Sequence, residues 1–280
     1  YASRFERPVA NHAEDSEMIV GATMNEGLIS AKLGLPAAPR QAEEIMISRD
    51  VLLSELTGGS YYALHLSSGG SVELIRRAKE RGAPVQAEVT PHHLTLTDGI
   101  VAGRTSPQTA KLNPYDPNTK VNPPLREQRD LELLREGLVS GIIDCIGSDH
   151  APHAIYEKEV EYSQAAPGFS CFETAFSTML SLVHQEIIDL PTLIERMTIA
   201  PCRVYNLPYG TLRANAQADV VLFDPTIEWI VDREGFHSKG KNTPYHGLPM
   251  KGRVTRTIYG GATVYVMPES PANIHGTVGN

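Results

Sequence analysis

The sequence is poor in cysteine, with three residues, Cys145, Cys171 and Cys202, among 280. They are far apart, odd in number and set in apolar contexts. That suits buried free thiols in a reducing cytoplasm better than a disulfide framework. No Cys-x-x-Cys pair occurs, so a thiolate zinc site is excluded as well. Long apolar runs are missing; none approaches the roughly 20 residues that a membrane-spanning helix needs. Positive charge is not in excess. Lys plus Arg number 25 against 33 Asp plus Glu, a formal net charge of -8, which leaves no basic footprint for nucleic acid. There is no visible signal peptide, no internal repeat, and no glycine-rich phosphate loop after any strand.

What is present is an alternation of strand and helix signals through the first two thirds. Strands are expected at Pro8 to His12, Tyr61 to Leu66, Val85 to Thr90 and Ile142 to Ser148. Helices are expected at Ala42 to Leu56, Ser71 to Arg81, Arg126 to Leu138, Glu173 to Ile187 and Leu190 to Ile199. Such alternation predicts βαβ units and a parallel sheet. Polar residues gather where the strands end: His12, His65, His92, His93 and Asp149. That placement favours a β/α barrel over a doubly wound sheet. The texture changes after Leu207. Ala218 to Asp224, Arg253 to Tyr259 and Ala262 to Val266 read as strands, the last two joined by a Gly260-Gly261 hairpin turn. The domains read as 1–207, a small β-rich unit at 208–267, and a Pro/Gly/Asn/Ser-rich tail at 268–280.

Ser148-Asp149-His150-Ala151-Pro152-His153 follows the apolar run ending at Ile146. A carboxylate at a strand exit binds a metal and also carries a proton; the competing reading is a helix N-cap. Imidazole nitrogens from His12 and His65 with the Asp149 carboxylate suit zinc. Three such ligands hold one zinc and leave a position for water. A second metal needs more ligands, and no His-x-His pair occurs. Asn122, stiffened by Pro123 and Pro124, offers a donor and an acceptor, or is a turn residue. His153 is a candidate partner for a substrate carboxylate, and Pro167-Gly168 offers backbone groups or an ordinary turn.

With these residues in view the chain resembles dihydroorotases of the amidohydrolase superfamily. The resemblance runs in order through His12-Ala13-Glu14-Asp15, His65-Leu66-Ser67, Glu88 to Leu94, Val121 to Arg126, Asp149 to His153, and Phe236 to Pro244. It implies a (β/α)8 metal-dependent hydrolase barrel, of which the last four βα units are present, with a small composite β domain. It implies two Zn2+ per complete site and the reversible interconversion of N-carbamoyl-L-aspartate and L-dihydroorotate in pyrimidine biosynthesis. It also implies that His12 and His65 bind one zinc. Asp149 binds the other and acts as general acid/base, and Asn122, His153, Pro167 and Gly168 hold substrate. The family's His-x-His pair, its bridging ligand and an arginine that binds substrate lie in segments expected to precede Tyr1. About half a barrel, with two open strand edges, is therefore expected here. The partners implied are the small-molecule substrate, a second copy in a homodimer, and aspartate transcarbamoylase. Two alternatives stay open: a hydantoinase- or allantoinase-like cyclic amidase, and a non-catalytic dihydroorotase-like subunit that scaffolds aspartate transcarbamoylase. The stretch Asp98 to Pro117 is longer than expected and carries no assigned role.

Overall fold

The computed structural model describes residues 1–104 and 112–268. In chain order it forms β1 (Val9–Asn11), β2 (Met24–Asn25), α1 (Leu28–Leu33), β3 (Ala37–Ala38), α2 (Gln41–Thr57), β4 (Tyr61–Ala63) and α3 (Gly69–Glu80). There follow β5 (Val85–Val89), α4 (Gln128–Val139), β6 (Cys145–Ile146), α5 (Ile155–Lys158), α6 (Ala175–His184), α7 (Leu190–Met197) and α8 (Ile199–Val204). The chain then builds β7 (Val220–Ile230), β8 (Pro249–Tyr259) and β9 (Ala262–Val266). Most of the expected tail, residues 269–280, lies outside the described residues, as do 105–111 of the long 98–117 stretch.

β1, β4, β5 and β6 form a parallel sheet in that order. Among the described residues it is open, with β1 and β6 as its edges. β5 buries Val85, Ala87 and Val89 and turns Gln86 and Glu88 to its other side, the period-2 pattern of a pleated strand. α3 starts where the Ser68 side chain accepts from Ser71 N and caps the first turn. It lies against α4 at Gly137, where an added Cβ would stand 2.7 Å from Val72 Cγ1. Ile47, Val51, Ile75, Leu134, Leu138, Ile143 and Leu180 close the core between sheet and helices. Each such side chain contributes about 1.5–3 kcal/mol on burial.

β7, β8 and β9 form a separate antiparallel sheet, with Gly260 and Gly261 at the tight turn. β7 and β8 run 11 residues each, longer than the sequence suggests. Trp229, Val231, Leu248 and Met250 join this sheet to a second core built by Met24, Leu96, Val121 and Phe169.

Several expected boundaries change for local reasons. The strand expected at Ile142 to Ser148 pairs only at Cys145 and Ile146, because Asp144 turns its carboxylate onto Ala87 N and Lys79 Nζ, and Asp149 is already left-handed (φ 47°). The helix expected through Ile187 stops at His184, before Glu186 takes φ 58°. The Leu190 helix breaks at Thr198, since Pro201 has no N–H to continue the ladder. On α2, Ile47 and Val51 face the core, whereas Ile45, Leu52 and Leu56 are exposed. Cys145 and Cys171 are buried, but Cys202 is half-buried rather than buried, near the end of α8.

Candidate active site

His12 follows β1 directly, His65 follows β4 by two residues, and Asp149 follows β6 by three. Parallel strands all end on one side, so β1, β4 and β6 carry these three groups to one end of the same sheet. His65 and Asp149 both have left-handed backbones, φ 32° and 47°. Such strained conformations concentrate where a site over-determines the chain.

The two histidines meet. His12 Nδ1 stands 3.0 Å from His65 Nε2, with the rings edge to face. On its far side His12 Nε2 donates to Glu14 Oε2 at 3.1 Å. Asn122 Nδ2 donates to the same oxygen at 2.9 Å. The hydrogen bond to Glu14 raises His12's pKa against the opposing effect of burial. Burial and the charge on His12 push His65 down to about 4. A carboxylate behind one imidazole nitrogen fixes the tautomer and turns the other lone pair inward, the arrangement found behind metal-binding histidines. Two lone pairs then converge on a single positive charge, either the proton on His12 Nδ1 or a cation. Two nitrogens on one tetrahedral zinc stand roughly 3.3 Å apart, close to the observed 3.0 Å. This donor pair fits a zinc ion. Among the described residues no group of three His, Cys, Asp or Glu side chains converges as a ready metal site.

Asp149 is linked to the pair by its electric field. It adds to the field that raises His12, and burial pushes its own carboxyl up while His12 opposes that shift. The other His of the hexapeptide, His150, is tied away from the site. It stacks on Phe172 at 3.8 Å, and its Nδ1 accepts from Cys171 N.

The remaining expected residues pair with one another. His153 Nε2 lies 2.8 Å from the Pro167 carbonyl and donates to it, and its Nδ1 is 3.5 Å from Glu157. His153 N donates to Asn242 Oδ1, and Asn242 Nδ2 donates to the Gly168 carbonyl at 3.0 Å. Gly168 has φ 119°, and an added Cβ would stand 2.5 Å from that of Ala151. Only glycine fits there. Asn122, Pro167, Glu14 and Lys120 line one cavity of about 190 Å³, with Ile19 and Met24 on its apolar side.

His92 and His93 stand at a strand exit but are buried, at 1% and 2% exposure. His93 Nε2 donates to the Pro123 carbonyl (3.0 Å), so Nδ1 accepts from Thr90 Oγ1 (2.7 Å) and the ring is neutral. Burial pushes His93 down to about 3 and His92 well below the usual range. These folded values lie below the unfolded value near 6.5. The unfolded chain therefore binds the extra protons, and stability is lost as pH falls from about 6.5 toward 3. The loss reaches about 1.4 kcal/mol per pH unit for each histidine. We expect His93→Gln to flatten this acid limb in urea unfolding at pH 7, 6, 5 and 4. An unchanged slope would remove His93 from the account.

Sequence reasoning assigned no role to Glu14, Glu43, Lys120 or Lys158. Glu14 had a signal: two residues after His12 at a strand exit, it shares that residue's side of the chain.

The sequence model of the amidohydrolase family matches residues 23–264. The dihydroorotase of Syntrophus aciditrophicus (strain SB) is 44% identical over 265 residues, covering 95% of this chain and 60% of that protein. The dihydroorotase of Anaeromyxobacter sp. (strain K) is 45% identical, with 95% and 59% covered. Among solved structures, the L-hydantoinase (dihydropyrimidinase) of Arthrobacter aurescens superimposes with a TM-score of 0.82 at 28% identity, over 95% of this chain and 60% of that one. The chain thus spans about three fifths of the length of these relatives. An open parallel α/β sheet with chemistry at its strand exits and a family match over most of its length place this chain in the amidohydrolase family.

Proposed function

We propose that the chain carries the second half of a zinc-dependent dihydroorotase site, within a (β/α)8 barrel whose last four βα units are these. The observation that carries the reading is the convergence of His12 Nδ1 and His65 Nε2 at 3.0 Å, with Glu14 behind His12. The dihydroorotase relatives supply the substrate class. His12 and His65 would hold one zinc and Asp149 would serve the second. Zinc bound there polarises a carbonyl and lowers the pKa of water.

This chain's residues do the rest. In the hydrolytic direction Asp149 accepts the proton of the attacking water and delivers it to the ring nitrogen that leaves. In the cyclising direction it takes the carbamoyl nitrogen's proton and returns it to water. Asn122, fixed by Glu14, is placed beside the cavity to orient the substrate amide. His153 would pair with the substrate carboxylate, and the Pro167-Gly168 backbone, with Pro167 on the cavity wall, would hold substrate through its carbonyls. A homodimer is the assembly we propose.

The test is zinc per chain together with turnover of L-dihydroorotate and of a 5-substituted hydantoin on the same sample. Bound zinc with preference for dihydroorotate supports the reading. Preference for the hydantoin moves the chain to the cyclic amidases of its hydantoinase neighbours, and absence of bound zinc removes the reading. Glu14→Gln is expected to weaken zinc binding by about 10–100-fold, since it removes the charge that sets the His12 lone pair. Competition with a chelator checks this. An unchanged affinity would mean that Glu14 does not support a ligand.

A further inference from the structure

We propose that Lys120 and Lys158 are paired positioning residues, whose ammonium groups clamp the 162–168 segment and thereby set the Pro167-Gly168 backbone against the site cavity. Lys158 Nζ donates to the carbonyls of Ala166 (2.7 Å) and Gly168 (3.0 Å). Lys120 Nζ donates to the carbonyls of Tyr162 (3.1 Å) and Ser163 (2.9 Å) and stands 5.7 Å from the Tyr162 ring centroid. The Lys120 carbonyl in turn accepts from Gly168 N at 2.8 Å. Four carbonyls and one amide of a short segment are therefore held by two side chains and one backbone group. Lys120 and Pro167 both line the cavity that contains Glu14 and Asn122, so the clamped segment is a wall of that cavity.

A purely structural role explains this poorly. Both lysines are buried, at 8% and 4% exposure, and among the described residues neither reaches a carboxylate at ion-pair distance. Burial and the neighbouring charge of Lys120 push the Lys158 amine down to about 8, with Asp116 opposing. A buried charge without a partner costs stability, and an apolar side chain of similar volume is often as stable or more so. What the lysines provide is geometry: nothing apolar holds four carbonyls pointing inward.

The proposal rests on the reading of Pro167-Gly168 as a substrate contact, and the experiment separates the two. Lys158→Met is expected to leave the global unfolding midpoint unchanged or raised. Amide hydrogen exchange at residues 162–168 should speed up by about tenfold, a local opening rather than global unfolding. On zinc-loaded protein, KM for dihydroorotate should rise while kcat stays within about twofold, the split expected when ground-state positioning is lost. Exchange at 162–168 equal to that of the wild type overturns the clamp. Faster exchange with an unchanged KM upholds the clamp and overturns the substrate role of Gly168. Trace acylation of the wild-type chain gives a reading that needs no variant. Lys120 and Lys158 should react at least about tenfold more slowly than the exposed Lys32 and Lys239, and equal reactivity also overturns the clamp.

Discussion

On the proposed dihydroorotase reading, Asp149→Asn is expected to lower kcat for dihydroorotate hydrolysis by about 10²–10⁴, the range that a positioned acid/base group supplies, while the fold stays intact. Asn has the shape of Asp and tolerates the left-handed backbone that Asp149 adopts at φ 47°. It keeps an oxygen for a ligand but loses the negative charge together with the capacity to take up and release a proton, which is why zinc saturation is read on the same sample. Burial already disfavours the charged carboxyl, and His12 opposes that effect, so the group sits where its protonation state responds to a nearby cation. Zinc saturation, kcat and near-ultraviolet circular dichroism on the same sample check the expectation. If the variant turns over within threefold of the wild type at full zinc occupancy, Asp149 is not the acid/base group.

The site assembles from strand order. β1, β4, β5 and β6 are neighbours in one parallel sheet, so residues far apart in sequence leave the sheet side by side. His12 and His65 come from adjacent strands and touch. Asp149 comes from the far edge and acts on His12 through the field. Loops then finish the cavity, and the loops are where the polar side chains other than ligands are spent. Asn242 reaches out of the segment between β7 and β8 to hold both His153 N and the Gly168 carbonyl. That contact gives the Lys239-Gly240-Lys241-Asn242 stretch a physical task that the sequence did not announce.

Element types were legible because they follow from spacing. Val85, Ala87 and Val89 alternate, and the structure buries them on β5. Val72, Ile75 and Ala78 recur at helical spacing, and the structure buries them on α3. The hairpin at Gly260-Gly261 was legible from its turn chemistry. On α2 the pattern carried less information, because apolar residues occupy two faces and spacing alone does not say which face meets the sheet. Ligand candidates were legible as chemically distinctive residues at strand exits. Their supports were not. Glu14, Lys120 and Glu43 act through contacts with segments tens of residues away, Lys158 reaches carbonyls eight and ten residues on, and a charged residue in sequence looks the same whether it is solvated or buried. The deep burial of His92 and His93 was hidden for the same reason: both follow a strand as His65 does, and only the packing of the Pro123 loop over His93 distinguishes them.

Among stability variants, Arg126→Met is expected to cost the most, about 3–5 kcal/mol, the range for leaving a buried charge uncompensated. Arg126 is 4% exposed and Glu43 is 3% exposed. Arg126 Nε donates to Ser67 Oγ at 3.0 Å, and one terminal nitrogen donates to Asn25 Oδ1 (3.1 Å) and the Ala38 carbonyl (2.9 Å). Glu43 accepts from the amides of Ser67 and Ser68, from the Ser67 hydroxyl, and from the Ser71 hydroxyl at 2.6 Å. Burial lowers the Arg126 pKa, and Glu43 and Asp130 oppose that shift. The protein's own carboxylate thus sits at the N-terminus of α3, where amides and helix dipole favour an anion, and Arg126 balances its charge. Removing Arg126 strands Glu43 among dry neighbours and loosens Ser67, two residues from His65. Urea unfolding of Arg126→Met, Glu43→Gln and the double variant measures the coupling. The double variant should lose clearly less than the sum of the two singles, since groups joined in one hydrogen-bond network, here through the Ser67 hydroxyl, do not add. Additive losses, or a single-variant loss below about 1 kcal/mol, would mean that the hydroxyl and amide donors alone hold Glu43 and that Arg126 serves only the Asn25 and Ala38 contacts.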